Sequence, residues 1–210
     1  MSHYKIFGRA GAGSLIAEFL LEEAGQDYSI SFVSAEEAKS PDFLAMNPLG
    51  KIPVLIRPDG GAISETLAIT THLIEVFPEL APAQGSAARD RFWQYLAMLA
   101  TCIYPAYHRQ HHSYYYAPTE VHDDLRARAR AEQATAYDYI ETVLNPFLCG
   151  DDITAADFYL YMLTRWDMDL DGLVRDRPAL AAFIKTMRAR PAVDTVIARQ
   201  KATRLAADDR

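Results

Sequence analysis

The sequence predicts an α/β unit followed by an all-helical unit, and three observations predict it. Strand-like runs occur only before about residue 77, a stretch rich in proline and small residues interrupts the pattern at 78–88, and only helical spacing follows from Arg89. Tyr4–Phe7 is a short β-rich run. A Gly-Ala-Gly turn follows, then Leu15, Ile16, Phe19 and Leu20 at helical spacing, stopping at Gly25. Tyr28–Val33 alternates as a second strand, and residues 35–46 read as a connecting helix or loop. Pro53–Ile56 and Ala62–Ile63 flank Pro58-Asp59-Gly60-Gly61, the turn chemistry of a hairpin. Leu67–Phe77 returns to helical spacing, so the first unit reads βαβ and then ββα.

The predicted organisation is therefore a domain at 1–77, a linker at 78–88 and a helical domain at 89–210. The helical positions are Phe92, Leu96 and Leu99, then Leu125, Ala129, Ala136, Ile140 and Leu144, then Phe158, Tyr161 and Met162, then Leu180, Phe183, Ile184 and Met187. Pro105 is placed to kink the helix that carries it.

Composition narrows the function. With 50% hydrophobic and 23% charged residues over 210, the chain is globular, and it has no apolar run long enough to span a membrane. A net charge of -7 disfavours nucleic acid and anionic lipid. The opening residues lack the basic start and apolar run of a secretory signal, which predicts a cytoplasmic protein. Cys102 and Cys149 form no CxxC, so both are expected as reduced thiols, and no cysteine zinc site is predicted.

Several segments carry chemistry. Glu65-Thr66 lies where a strand ends and an apolar helix begins, which brings a carboxylate, a hydroxyl and helix-start amides together. Taken alone, those residues read as a capped helix with an acid in its first turn. Thr154-x-x-Asp157 has the spacing of a capping box, a structural feature. The loop Gly8-Arg9-Ala10-Gly11-Ala12-Gly13-Ser14 places a hydroxyl at the start of the first helix, and its glycines admit close backbone approach. Gly11-x-Gly13 lacks the third glycine of a dinucleotide fingerprint, Ile16 standing there instead. Tyr104, Tyr107, His108, His111, His112 and Tyr114–Tyr116 form an aromatic stretch; His108 and His111 share a helical face, but no third ligand joins them, so an aromatic wall is favoured over a metal site. Asp167-Met-Asp-Leu-Asp-Gly172 resembles the first half of a calcium loop but has Pro178 where the closing glutamate belongs, and reads as a solvated acidic turn.

Four segments, Asn47–Leu55, Ile63–Ile69, Gly150–Asp157 and Arg190–Val193, in order along nearly the whole chain, resemble the cytosolic glutathione S-transferases. Asn47-Pro-Leu-Gly-Lys-Ile-Pro-Val-Leu55 is similar to the family's loop into its third strand, and Ile63-Ser-Glu-Thr-Leu-Ala-Ile69 to its glutathione motif. Gly150-Asp-Asp-Ile-Thr-Ala-Ala-Asp157 resembles its capping segment, and Arg190-Pro-Ala-Val193 its C-terminal region. The resemblance implies a thioredoxin-like N-terminal domain with a C-terminal helical bundle, and a cytoplasmic detoxification enzyme forming a two-fold homodimer across the domain junction. It implies glutathione as cosubstrate, no other cofactor or metal, and a small hydrophobic electrophile as second substrate. In this picture Ile52-Pro53 is cis and the Ile52 backbone pairs with glutathione as an added strand would. Lys51, Ile52, Pro53, Glu65, Thr66 and Gly13 hold the tripeptide, and Tyr107, His108 and His111 line the electrophile pocket. Thr66 stands where many members have serine and keeps the hydroxyl.

The reacting group must be a thiolate, and a free thiol with pKa ~8.5 is only a few per cent ionised at neutral pH. A shift of two units requires ~2.7 kcal/mol. A helix N-terminus gives ~0.3–1 kcal/mol, up to ~2 when partly buried, and a hydrogen bond to a charged group ~1.5–3. Ser14 is the expected donor, with Arg9 adding positive potential. The loop resembles the bacterial branch that carries Pro-Gly-Ala-Cys-Ser, but Gly13 occupies the cysteine position, which excludes a mixed disulfide there, and Phe7-Gly8 replaces the tyrosine of other branches. Two rivals remain: a glutathione-dependent disulfide reductase or peroxidase, and a non-catalytic binding module of the same fold.

Overall fold

The computed structural model describes the backbone of residues 3–208, with side chains to residue 202. The outermost residues of both expected domains, 1–2 and 209–210, lie outside the described residues. Strand β1 (Tyr4–Gly8) leads into helix α1 (Leu15–Glu23) and then β2 (Tyr28–Phe32), which pairs parallel to β1. A short helix α2 (Pro41–Met46) follows, with Ser40 capping it by accepting the Phe43 N–H. Strands β3 (Val54–Ile56) and β4 (Ala62–Ser64) form the hairpin, and α3 (Thr66–Val76) completes the motif. Sheet order is β2-β1-β3-β4, with β3 antiparallel to both neighbours.

Alternation along β1 divides the packing. Tyr4 and Ile6 are buried on one face, where the Tyr4 ring meets His72 of α3. Phe7 points to the other face, where it packs with Val54, Ile56 and, edge to face, Phe43 of α2. Helix α1 is buried along Leu15–Leu21, as an almost unbroken apolar run requires.

The helical unit begins at α4 (Ala87–Met98), capped by Ser86. A π-helical turn over Leu99–Ile103 runs directly into α5 (Tyr104–His111), whose second residue is Pro105. The expected kink therefore takes the form of a π-turn, which absorbs the hydrogen bond that proline cannot donate. Helices α6 (His122–Val143), α7 (Ala155–Thr164), α8 (Leu170–Val174) and α9 (Pro178–Arg188) follow, with α7 buried along its whole length. No helix among the described residues is long and apolar enough to cross a membrane.

The last helix, α10 (Pro191–Asp208), differs from expectation. The chain separates into one compact unit up to Leu80 together with Met187 onward, and another spanning Ala81–Thr186. The end of the expected 89–210 bundle thus returns to the sheet-bearing unit. Helix α10 buries Val193 and Val196, and ion pairs of Arg190 with Glu23 and of Arg199 with Glu22 at 3.0 Å join it to α1.

Candidate functional site

The loop between β1 and α1 is held by backbone contacts and two side chains. The Ala12 N–H donates to the Arg9 carbonyl at 3.1 Å, and the Leu15 N–H to the Ala12 carbonyl at 3.1 Å. Ser14 is fully buried; its hydroxyl donates to the Arg9 carbonyl at 3.2 Å and accepts the Arg9 N–H at 3.3 Å. Both hydrogen-bonding capacities of the Ser14 side chain thus face inward, and it makes no cap bond to α1. Against the expectation of a donor to sulfur, the hydroxyl is turned to the loop backbone in this structure. Its role is to fix where the loop leaves β1. Gly8 makes that possible, because a Cβ there would lie 2.4 Å from both the Ser14 Cβ and Oγ.

The Arg9 guanidinium reaches across to β2, donating to the Val33 carbonyl through Nε and Nη2 at 3.3 Å each, so its charge stays beside the loop. The Gly11 N–H donates to Gln200 Oε1 at 2.8 Å. Among the described residues, no hydrogen bond takes the N–H groups of Ala10, Gly13 and Ser14. Successive backbone donors beside a helix start form a concavity suited to an anion.

The second segment enters β3. Asn47, buried, donates from Nδ2 to the Lys51 carbonyl at 2.6 Å and accepts the Leu49 N–H at 3.2 Å. This residue shapes the loop, and the sequence reading gave it no role; an asparagine just before Pro-Leu-Gly was the available signal. Gly50 has φ 61°, and a Cβ there would approach the Ala38 carbonyl to 3.1 Å. Lys51 is exposed, Ile52 half-buried and Pro53 buried, and the Ile52-Pro53 peptide is cis.

At the third segment Glu65 takes φ 71°, the one non-glycine residue with positive φ among the described residues. Left-handed backbone at a glutamate costs of order 1–3 kcal/mol and concentrates at functional sites. It lets β4 turn directly into α3 while the Glu65 side chain stays exposed, with the Glu65 carbonyl accepting the Ile69 N–H at 2.9 Å. Thr66 begins the helix, and its carbonyl accepts the Thr70 hydroxyl at 2.7 Å.

In the helical unit the aromatic stretch divides. Tyr107 is buried, and its hydroxyl donates to Asp167 Oδ2 at 2.8 Å and lies 3.2 Å from the Tyr137 hydroxyl. Gln133 also donates to Asp167 Oδ2, at 2.9 Å, and Gln110 donates to Gln133. Burial, with Tyr137 and Asp167 close by, pushes the Tyr107 hydroxyl far above the ordinary tyrosine range. Tyr107 is thus a member of an interior polar network, which corrects its expected place in a pocket wall. Asp167 is correspondingly half-buried rather than part of a solvated turn, while Asp169 caps α8 through the Gly172 N–H at 2.9 Å. His108 and His111 stay at the surface: His108 Nδ1 lies 2.7 Å from the Tyr116 hydroxyl, its ring stacks on Tyr115, and His111 Nε2 donates to the Trp166 carbonyl at 2.9 Å.

The capping segment forms as its spacing predicts. Asp157 accepts the Thr154 N–H at 2.8 Å, the Thr154 hydroxyl at 2.9 Å and the Leu148 N–H at 2.9 Å, and the reciprocal capping contacts are present. Both cysteines are free, and burial pushes the Cys149 thiol up to about 11, which keeps it protonated. No group of histidine, cysteine or acidic side chains among the described residues is arranged to hold a metal ion.

Known proteins share this fold. Residues 14–76 fit the family model described as glutathione S-transferase, N-terminal domain, and residues 100–191 the one described as glutathione S-transferase, C-terminal domain. The chain is 30% identical over 223 residues to Glutathione S-transferase 3 of Zea mays, covering 94% of this chain and 95% of the relative. It is 28% identical over 205 residues to Glutathione S-transferase GstA of Escherichia coli O157:H7, covering 92% and 96%. Among solved structures, a glutathione transferase homologue from Sulfitobacter with bound glutathione superposes at a TM-score of 0.85, with 26% identity, over 95% of this chain and 99% of that one.

Proposed function

Since the chain belongs to the glutathione S-transferase family, we propose that it joins the sulfur of glutathione to small hydrophobic electrophiles. The observation that carries this reading is the group of unengaged amides, Ala10, Gly13 and Ser14, at the loop that opens α1, with the Arg9 guanidinium beside it. A thiolate placed there takes charge-assisted hydrogen bonds from the backbone and sits at the positive end of a buried helix. Those two contributions together reach the ~2.7 kcal/mol that a two-unit fall in thiol pKa requires, without the Ser14 hydroxyl.

The remaining tripeptide contacts follow the segments above. The Ile52 backbone pairs with the cysteinyl unit, and Lys51 and Pro53 border it. The exposed Glu65 carboxylate takes the γ-glutamyl ammonium, while Thr66 and the α3 amides take its carboxylate. Gly13, lacking a side chain, lets the sulfur approach. His108 and His111 are retained as electrophile-facing residues.

In the reaction the thiol proton passes to solvent and a sulfur lone pair forms the new C–S bond. In a substitution, the leaving group departs with its bonding electron pair. The protein acts in the cytoplasm as a homodimer. Titration calorimetry with glutathione is expected to show one site per chain, and chlorodinitrobenzene is expected to be turned over faster than hydroxyethyl disulfide is reduced. No heat of binding, or the reverse preference, overturns the reading. Light scattering that shows only monomer at micromolar concentration removes the dimer.

A further inference from the structure

Inside the sheet-bearing unit, α1 and α10 enclose a buried polar chain that the proposed reaction does not use. Glu18, in the middle of apolar α1, is fully buried, and Gln200 of α10 is buried beside it. Gln200 Nε2 donates to Glu18 Oε1 at 2.6 Å, and Gln200 Oε1 accepts the Gly11 N–H at 2.8 Å. Glu18 Oε2 has no hydrogen-bond partner among the described residues.

The orientation of the Gln200 carboxamide is fixed by these contacts. Gly11 offers a donor, so the oxygen must face the loop; the amide nitrogen then needs an acceptor, and a carboxyl oxygen of Glu18 is the acceptor present. Were Glu18 absent, the NH2 group would be buried without a partner and the carboxamide would lose its reason to point one way. Gly11 lies between Ala10 and Gly13, two of the unengaged amides, so the direction of the Gly11 peptide sets the direction of its neighbours.

We propose that Glu18 and Gln200 are positioning residues for the loop that opens α1: Gln200, oriented by Glu18, holds the Gly11 N–H and so aims the neighbouring amides at the glutathione sulfur. The inference rests on the glutathione reading for its last step only. Burial raises Glu18 to about 7, against the opposing effects of the Gln200 hydrogen bond and of Arg199, with Glu22 adding to the rise. The other ionisable group in that surround is Tyr28, which accepts from Arg199. A carboxyl poised there accepts from Gln200 through Oε1 in either protonation state, so the contact persists across neutral pH.

The test uses Gln200→Ala, Gln200→Glu and the exchanged pair Glu18→Gln/Gln200→Glu, in the full chain. Gln200→Glu keeps an acceptor for Gly11 but sets one carboxyl against another. The exchanged pair restores donor and acceptor along the whole chain. Amide hydrogen exchange of the unliganded protein is expected to show a protected Gly11 N–H, about tenfold faster exchange in both single variants, and recovery in the exchanged pair. With glutathione bound, ultraviolet titration of the thiolate is expected to show a thiol pKa about one unit higher in Gln200→Ala, equivalent to about tenfold less thiolate below that pKa, with recovery in the exchanged pair. Unchanged Gly11 exchange in Gln200→Ala overturns the inference whatever glutathione does. So does changed exchange with an unchanged thiol pKa. Should the wild type bind no glutathione, the functional reading fails, and the positioning of the loop is then decided by the Gly11 exchange alone.

Discussion

Replacing Ser14 by alanine separates a hydroxyl that touches sulfur from one that holds a loop. In the structure the hydroxyl joins the Arg9 N–H and C=O at 3.3 and 3.2 Å. Each such bond contributes about 0.5–1.5 kcal/mol net, and Arg9 is exposed, so water replaces part of the loss. Ser14→Ala is therefore expected to cost about 1–2 kcal/mol and to lower Tm by roughly 2–8 °C for a chain of this size. The Arg9 carbonyl also accepts the Ala12 N–H at 3.1 Å, so the turn itself survives. The bound glutathione thiol should then shift by less than about half a pKa unit. Were the hydroxyl a direct donor to the thiolate, its loss would remove about 1.5–3 kcal/mol and raise that pKa by about one to two units. Thermal unfolding and ultraviolet titration of the glutathione complex measure the two quantities on one sample. A rise of a full unit with an unchanged Tm would refute the assignment of Ser14 to the loop and return it to the sulfur.

Asp157→Ala removes the acceptor for two backbone N–H groups, those of Leu148 and Thr154, in a fully buried setting, and is expected to destabilise by about 3–5 kcal/mol in denaturant unfolding while glutathione contacts stay intact. Glu18 gives a pH dependence of the opposite sign to that of a salt-bridged acid. Its folded pKa is raised to about 7 by burial, so its favourable contribution is complete below about 4.5 and is lost as pH rises through about 7. The fall in unfolding free energy across that window is of order 3 kcal/mol for this group, and Glu18→Gln should flatten it. Equal slopes in wild type and variant, measured by urea unfolding between pH 4.5 and 7.5, would show that Glu18 ionises freely.

Much of this architecture was legible because its signals are local. A short β-rich run marked β1, alternation marked β2, Pro58-Asp59-Gly60-Gly61 marked the hairpin, and Thr154 with Asp157 marked the cap, each within a few residues of chain. The site was legible only as far as its segments. Spacing places Tyr107 and His108 on a helix but does not say which side of that helix faces inward, because tyrosine and histidine rings fall on more than one of its faces. Tyr107 proved interior because Asp167, 60 residues on, accepts its hydroxyl. Ser14 has the composition of a cap, but capping depends on φ and ψ, and its backbone is already helical at φ -61°, ψ -21°, so its hydroxyl turns back to Arg9 instead.

The return of α10 is different, because its sign lies in α1 rather than in α10 itself. Helix α1 carries Glu22 and Glu23 in its last turn and no basic residue there, the arrangement its macrodipole disfavours. Glu18 and Glu22 also stand four apart, a like-charge pair on one face. A helix that breaks two local rules and is otherwise apolar must find its cations and donors elsewhere in the chain. Arg190, Arg199 and Gln200 supply them from α10, at sequence separations of 167, 177 and 182 residues. Local conflict in one helix thus points to a distant partner, and here that partner also reaches Gly11 in the loop proposed to receive the sulfur.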